Sequence, residues 1–469
     1  MTERAAAPEA ALTPAARAER GKAARASVRR AEQALFDPGT ERADPVGILE
    51  AEAATRLPEL LPIRYGRMLQ SPFHFYRGSA AIMAADLGGA PHTGLTTQLC
   101  GDAHLLNFGL FASPERTLVF DVNDFDETHP GPFEWDVKRL AASLAVAGRV
   151  NGFPARIRAA AVLEAASAYR LRMRQFAGMR VLDIWYAHDN ADDLRAIAAE
   201  GGRRALSRAD RVIGKARTRD HLQAFAKLTH RDGGQLRIAA DPPLVVPLSE
   251  LRDEPTAADQ DTVLRELLDS YAASLPPDRR ALFGRFRLVD VARKVVGVGS
   301  VGTRCWIVLL TGRDEDDPLF LQAKEAGPSV LAPYAGPVTY DNQGHRVVAG
   351  QRLMQATGDI FLGWQRAEGL DGRHRDFYVR QLHDWKGSLS TEDMRPEGMR
   401  LLARVCGASL ARAHARSGDP IAMGAYLGGS DTFDRALADF AEAYADRNER
   451  DYEALVDAAR TGRVPTAAG

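Results

Sequence analysis

Helical spacing is clearest in VKRLAASLAVAGRV, where Val137, Leu140, Ala141 and Leu144 recur every three to four residues. The spacing predicts a helix beginning there, capped by Asp136. Before it, residues 45–100 mix helix and turns, with RYGRMLQSPFHFYRGSAAIMAADL the strongest segment. LTTQLCGDAHLLNFGLF reads as a short strand entering a polar loop, and TLVFDVNDFDETHPGPFEWD as a strand, an acidic loop and a Pro/Gly turn. Residues 155–230 read as mainly helical and Arg-rich. Asp241, Pro242, Pro243 and Pro247 break the pattern, and 259–274 resumes a helix. Around residue 285 the period shortens. FRLVDVARKVVGVGSVGTRCWIVLLTGRDEDDPLFLQAKEA is β-rich, and HRVVAGQRLMQ and DFYVRQL also read as strands. From about 397 the chain returns to helix.

A β-rich module between two helical stretches predicts an α+β fold rather than regular βαβ alternation. The expected organisation is a mobile Ala/Arg-rich tail (1–44), a helical part (45–284), a β-rich part (285–390), further helices (391–460) and a short tail (461–469).

Composition narrows the function classes. The 469 residues hold 61 Lys+Arg against 62 Asp+Glu, a formal net charge of −1, which argues against a dedicated nucleic-acid binder. Three distant cysteines (Cys100, Cys305, Cys406) form no disulfide framework or CxxC pair and read as buried thiols. No run of about 18 apolar residues predicts a membrane span, and the N-terminus lacks the apolar core of a signal peptide. A cytoplasmic protein without a membrane partner is expected. Only seven of the basic residues are Lys, so each lysine, a compact point charge, stands out.

The candidate chemistry starts with carboxylates. GDAHLLNF spaces Asp102 and Asn107 as Asp-x4-Asn; Asp124 follows in NDFDE at a strand end, and Asp136 follows at a helix start. Phosphoryl transfer needs a carboxylate at the acceptor hydroxyl and hard oxygen ligands for Mg²⁺. Asp102 fits the first role. Asn107 and Asp124 fit the second, with Asp126 or Asp121 assisting. Asp136 would brace the loop, and His104 reads as a hydrogen-bonded loop histidine before a metal ligand. Two polar turns with Asx caps are the plainer alternative.

Gly297, Gly299 and Gly302 match G-x-G-x-x-G, with Ser300 inside the loop. A dinucleotide-binding fold would need a helix next, but TRCWIVLL reads as a strand. The hairpin therefore fits a glycine flap over ATP phosphates. The following strand, PLFLQAKEA, carries Lys324, where a kinase-like arrangement has its phosphate-binding lysine. Glu325 is adjacent and faces the other way, so the helical glutamate that pairs with such a lysine is unassigned.

The order is inverted relative to kinases, because the carboxylates precede the glycine loop. This implies a circularly permuted, bilobal, kinase-like fold, with the β-rich nucleotide lobe inserted between two helical parts of the larger lobe. CGDAHLLNFG, FDVNDFDE, WDVKRLAASL, GVGSVGTR, VAGQRLMQATGDIFLGW and YVRQLHDWKGS resemble a bacterial family catalogued as domain of unknown function 2252, over roughly residues 45–450. The motifs are also similar to the aminoglycoside phosphotransferase branch of kinase-like proteins. That resemblance implies a catalytic Asp102, metal-binding Asn107 and Asp124, and a structural Asp136, with Cys100 where that branch commonly has His. Tyr76-Arg77-Gly78 and Arg139 stand out without an assigned chemistry.

The expected activity is ATP- and Mg²⁺-dependent phosphoryl transfer to an unknown small-molecule or protein acceptor. Nucleotidyl (AMP) transfer on the same fold, a non-catalytic nucleotide-binding scaffold, and a metal-dependent hydrolase built on residues 121–127 are the alternatives.

Overall fold

The computed structural model describes residues 12–218, 221–251, 257–368, 372–382, 387–388, 391–392 and 394–467. The chain opens with α1 (Pro14–Ala23), capped by the Thr13 side chain and with Pro at the first position, where its missing N–H is harmless. Further short helices lead to α2 (Pro72–Gly78), capped by Ser71, whose hydroxyl accepts from the His74 N–H at 3.2 Å. Four strands follow: β1 (Thr96–Leu99), β2 (Phe108–Ala112), β3 (Leu118–Val122) and β4 (His129–Pro132). β1 pairs with β4, and β2 with β3 in the register Phe108↔Val122, both antiparallel. The Pro/Gly turn expected at 129–132 is thus a strand, with Gly131 paired to Thr97.

α3 (Phe133–Val150) and α4 (Ala155–Ala177) build the core of the helical part. α3 is buried on almost every side. It begins right after Pro132, earlier than expected, so Asp136 lies in its first turn and caps nothing on α3. Its carboxylate serves a neighbouring loop instead.

A six-stranded antiparallel sheet follows, formed by β5 (Val245–Pro247), β6 (Arg287–Lys294), β7 (Cys305–Thr311), β8 (Pro318–Ala326), β9 (Gly363–Glu368) and β10 (His374–Gln381). Its order is β9-β10-β8-β7-β6-β5. The period-2 pattern of PLFLQAKEA resolves into two faces. Leu319, Leu321 and Ala323 pack with Tyr271, Leu275 and Phe283, whereas Phe320 packs with Ile307, Leu309 and Ile238. Lys324 shares the Phe320 face.

HRVVAGQRLMQ is not a strand. It lies in a helix, α5 (Gln343–Met354), capped by Asn342, with Val347, Val348, Gln351 and Met354 buried on one side. Val-Val suggested β structure, but the cap and the i, i+4, i+7 burial decide for helix. DFYVRQL does form a strand, β10.

Three helices close the chain: α6 (Pro396–Ser417), α7 (Pro420–Leu427) and α8 (Thr432–Arg460). Both expected tails are docked where the structure describes them. Arg17 donates to Asp419 at 2.7 Å, Gln33 donates to the Tyr426 hydroxyl at 2.9 Å, and Phe36 packs edge-on against Tyr444. At the other end Val464 is buried, and the Ala467 N–H reaches the Pro62 carbonyl at 3.1 Å. The arginines that suggested a solvated tail find the carboxylate of Asp419, the N-cap of α7, almost a whole chain length away, which composition does not reveal. All three cysteines are free and buried. No helix among the described residues is long and apolar enough to cross a membrane.

Candidate functional site

β1 feeds the loop 100–107. Gly101 turns it at φ +83°, and a Cβ there would lie 2.1 Å from the Glu127 carbonyl oxygen, so the position accepts only glycine. Asp136 holds this turn: its carboxylate accepts from the Cys100 N–H at 2.8 Å and the Gly101 N–H at 3.1 Å, with His414 of α6 at 3.2 Å.

Asp102 comes next. Its Oδ1 accepts from Arg139 Nε at 2.8 Å, and the same guanidinium donates to the Tyr76 carbonyl at 2.6 Å and stacks over the Tyr76 ring. Burial pushes the Asp102 carboxyl above its ordinary pKa despite Arg139, which favours uptake of a proton. His104 is held well below its ordinary value, first by burial and then by Arg77 and Arg139. Its Nδ1 accepts from the Leu106 N–H at 3.2 Å, so the neutral ring carries its proton on Nε2, 3.8 Å from Asp102 Oδ2.

The β2–β3 hairpin sets the next pair. Asn107 Nδ2 donates to the Asp102 carbonyl at 2.6 Å, which leaves the amide oxygen for another partner. The Asn107 carbonyl accepts from the Asn123 N–H at 2.8 Å, so the pairing brings Asp124 beside it. Asp124 accepts the Asp126 N–H at 3.2 Å and lies 3.8 Å from Lys324 Nζ. Burial first and then the Asp126 charge push its pKa up, against the opposing pull of Lys324 and Arg380.

Asp126 is held by three side chains. It accepts from Lys324 at 2.7 Å, Ser300 Oγ at 3.0 Å and the Tyr378 hydroxyl at 2.5 Å. Burial opposes its ionisation, but Lys324 and Tyr378 hold its pKa far below the ordinary range. Burial likewise opposes the Lys324 charge, and the two aspartates outweigh it. β8 and β10 pair Lys324 directly with Tyr378, and alternation puts Arg380 on the same face. Arg380 donates to the Asn123 carbonyl at 2.9 Å. Glu325 faces away, accepting from the Arg304 N–H at 3.0 Å.

The glycine loop joins β6 to β7 as a strand–loop–strand unit with one 3₁₀ turn (Val298–Ser300). Gly297, Gly299 and Ser300 line a cleft of about 950 Å³ with Asp102, Asn107, Asp124, Asp126 and Lys324. Two expected site residues stand apart. Gly302 is a packing position: at φ +92°, a Cβ would lie 3.0 Å from that of Arg56. Asp121 is fully buried away from the cleft. It pairs with Arg412 of α6 and accepts from the Val122 N–H at 2.8 Å and the Ala356 N–H at 2.9 Å. β3 is buried on both faces, so its aspartate required an internal cation.

Sequence reading missed Tyr378, Arg380 and Arg346. Arg346 projects from α5 to the Asp126 carbonyl at 2.8 Å and the Gly327 carbonyl at 2.9 Å. The period-2 pattern of DFYVRQL groups Tyr378 with Arg380, but only strand pairing brings them to Lys324. Residues 383–386 of the quoted motif YVRQLHDWKGS lie outside the described residues. No group of three His, Cys, Asp or Glu among the described residues is arranged to hold a metal ion unaided.

Searches of curated proteins and of solved structures returned no match to the chain. A family model does match, over residues 56–458, spanning the loop 100–107, the acidic loop and the glycine hairpin. The chain therefore belongs to the bacterial family described as "Uncharacterized protein conserved in bacteria (DUF2252)".

Proposed function

We propose that the protein is an ATP- and Mg²⁺-dependent phosphotransferase with a circularly permuted, bilobal, kinase-like fold, acting on a hydroxyl-bearing small molecule or protein. One observation carries this reading. Asp102, Asn107 and Asp124 line the same cleft as Ser300 and Lys324, which belong to a much later part of the chain, and Lys324 Nζ is 3.8 Å from Asp124. A permuted kinase site requires that meeting.

The position of α6 supports the permutation. In a kinase-like chain the corresponding helix leads from the nucleotide lobe to the catalytic loop. Here it comes long after that loop in sequence, yet its end sits on the strand entering it. The Thr97 hydroxyl donates to the His414 carbonyl at 3.0 Å, and the Gln98 N–H donates to Ser417 at 3.1 Å. One feature departs from kinases: α5, on the strand-to-helix path after Lys324, holds no acidic residue, and Asp126 pairs with the lysine instead.

The donor set fits magnesium. Asp124 and the free amide oxygen of Asn107 would hold it, since Mg²⁺ is usually bound by one or two carboxylates with phosphate oxygens and water. The bound ion would neutralise charge on the phosphates. Asp126, bonded to Lys324, Ser300 and Tyr378, is the lysine's counter-ion. In the transfer, the acceptor oxygen bonds to the γ-phosphorus as the bond to the β–γ bridging oxygen breaks. That oxygen leaves on ADP with the electron pair, and the acceptor proton passes to Asp102. The hydrolase alternative needs residues 121–127 to converge, whereas Asp121 turns to Arg412 and Glu127 accepts from the Val330 N–H at 2.7 Å.

The test is a thermal-shift titration with Mg-ATP, wild type against Asp124→Asn. Stabilisation of the wild type alone is expected, and no shift in the wild type removes the support for this reading. ATP labelled at the α or the γ phosphorus then separates nucleotidyl from phosphoryl transfer.

A further inference from the structure

Arg77, in the Tyr76-Arg77-Gly78 motif, sits in the last turn of α2 and lines the cleft with Asp102 and Asn107. The backbone around it is clamped on both sides. The Tyr76 carbonyl accepts from Arg139, the guanidinium that also holds Asp102. The Gly78 carbonyl accepts from Arg64 at 3.1 Å, and Arg64 is itself held by Glu52 at 2.8 Å. The Arg77 carbonyl lies 3.4 Å from where a Cβ on Gly299 would sit, so the glycine loop rests against this turn.

The Arg77 side chain bonds to none of the described residues. Among the described residues its guanidinium has no hydrogen-bond or ion-pair partner, and its Nε is buried without an acceptor. Its neighbours in the cleft differ. Arg56 donates to the Val301 carbonyl at 2.6 Å, and Arg380 to the Asn123 carbonyl. Burial is the main influence lowering the pKa of Arg77, while Asp102 and Asp124 favour its charge without bonding to it. A largely desolvated guanidinium without an acceptor is costly, and its planar fork suits an oxyanion entering from the cleft. Arg77 lines the same cleft as the carboxylate assigned to the acceptor and the one assigned to the metal, and its charge is favoured by both.

We propose that Arg77 binds the γ-phosphoryl group of ATP and stabilises the charge that develops there during transfer, as an arginine finger supplied by the same chain. This deepens the phosphotransferase reading and rests on it. Arg77 thereby joins Lys324 and the glycine loop in reading the triphosphate.

Calorimetry on the full chain with Mg-ATP and Mg-ADP tests this in wild type, Arg77→Ala and Arg77→Lys. Arg77→Ala is expected to weaken Mg-ATP by about tenfold or more and to leave Mg-ADP unchanged, since only ATP carries the γ-phosphoryl. Arg77→Lys keeps the charge and guards against a folding defect; it should retain part of the preference for ATP. Equal losses for both nucleotides, or none, would overturn the Arg77 assignment and leave the phosphotransferase reading standing. Wild-type protein that binds neither nucleotide would overturn both.

Discussion

Asp121 and Asp124 stand a few residues apart, and the fold uses them in opposite ways. Asp121 is sealed between β3 and α6, with Arg412 and two backbone N–H groups on its oxygens. Asp124 sits one hairpin position past the partner of Asn107, accepts one backbone N–H and faces a cleft with Lys324 at 3.8 Å. A carboxylate whose acceptor sites are all taken stabilises a fold. One with spare acceptor sites facing a cleft is available to a cation or substrate. The same contrast separates Arg139, bonded to Asp102 and to backbone, from Arg77, bonded to nothing described.

Four substitutions sharpen or break that contrast. Asp124→Asn keeps the shape and removes the charge. Mg-ATP turnover should fall by about 10³-fold, the several kcal/mol that a metal supplies, while the urea midpoint barely moves. Unchanged turnover would remove Asp124 as a metal ligand. Asp121→Asn should do the reverse. It leaves Arg412 as an uncompensated buried charge, so unfolding free energy should drop by about 3–5 kcal/mol in urea titrations, with Mg-ATP affinity of the folded fraction unchanged. A large affinity loss without destabilisation would show that Asp121 belongs to the site after all.

Lys324→Ala comes next. Loss of a charged partner to phosphate should weaken Mg-ATP by about 10–100-fold in calorimetry. Retained metal-dependent hydrolysis with no change in nucleotide affinity would favour the hydrolase reading. The smallest effect concerns Glu127, which lines the cleft and whose pKa burial pushes from 4.5 up to about 7. Between those values the native state keeps a proton that the unfolded chain has released. This group's contribution to stability therefore falls as pH rises toward 7 and stays low above it. Glu127→Gln should be more stable than wild type at pH 8 by about 1–2 kcal/mol. That is less than the about 3 kcal/mol of a fully buried group, because cleft water screens it. The gap should nearly close at pH 5; a pH-independent gap between the two melting curves would show that Glu127 does not titrate in this range.

Much of the site was legible in local sequence. Asp-x4-Asn, the acidic run after a strand, the glycine-rich hairpin and the lysine on the next strand each depend on a few consecutive residues, and the structure gives each its expected local form. Misreadings arose where distant contacts decide. HRVVAGQRLMQ carries β-branched residues but is a helix, because its cap and its buried stripe outweigh propensity. Asp136 does not cap its own helix, but it braces the loop as expected, its oxygens accepting from the backbone N–H groups of 100 and 101. The N-terminal arginines seemed solvated, yet Asp419 next to α7 receives them.

The sequence by itself determined which segments carry chemistry, because periodicity, turn glycines and side-chain type act within a few residues. Only the tertiary structure decided which of these groups meet, since pairing between strands and packing between helices join positions from opposite ends of the chain. Strand pairing brought Tyr378 to Lys324, α6 provided Arg412 for Asp121, and α2 presented Arg77 to the cleft. Each outcome turns on burial: a charge removed from water must find a partner wherever the fold provides one, and the group left without a partner marks where a ligand would complete the set.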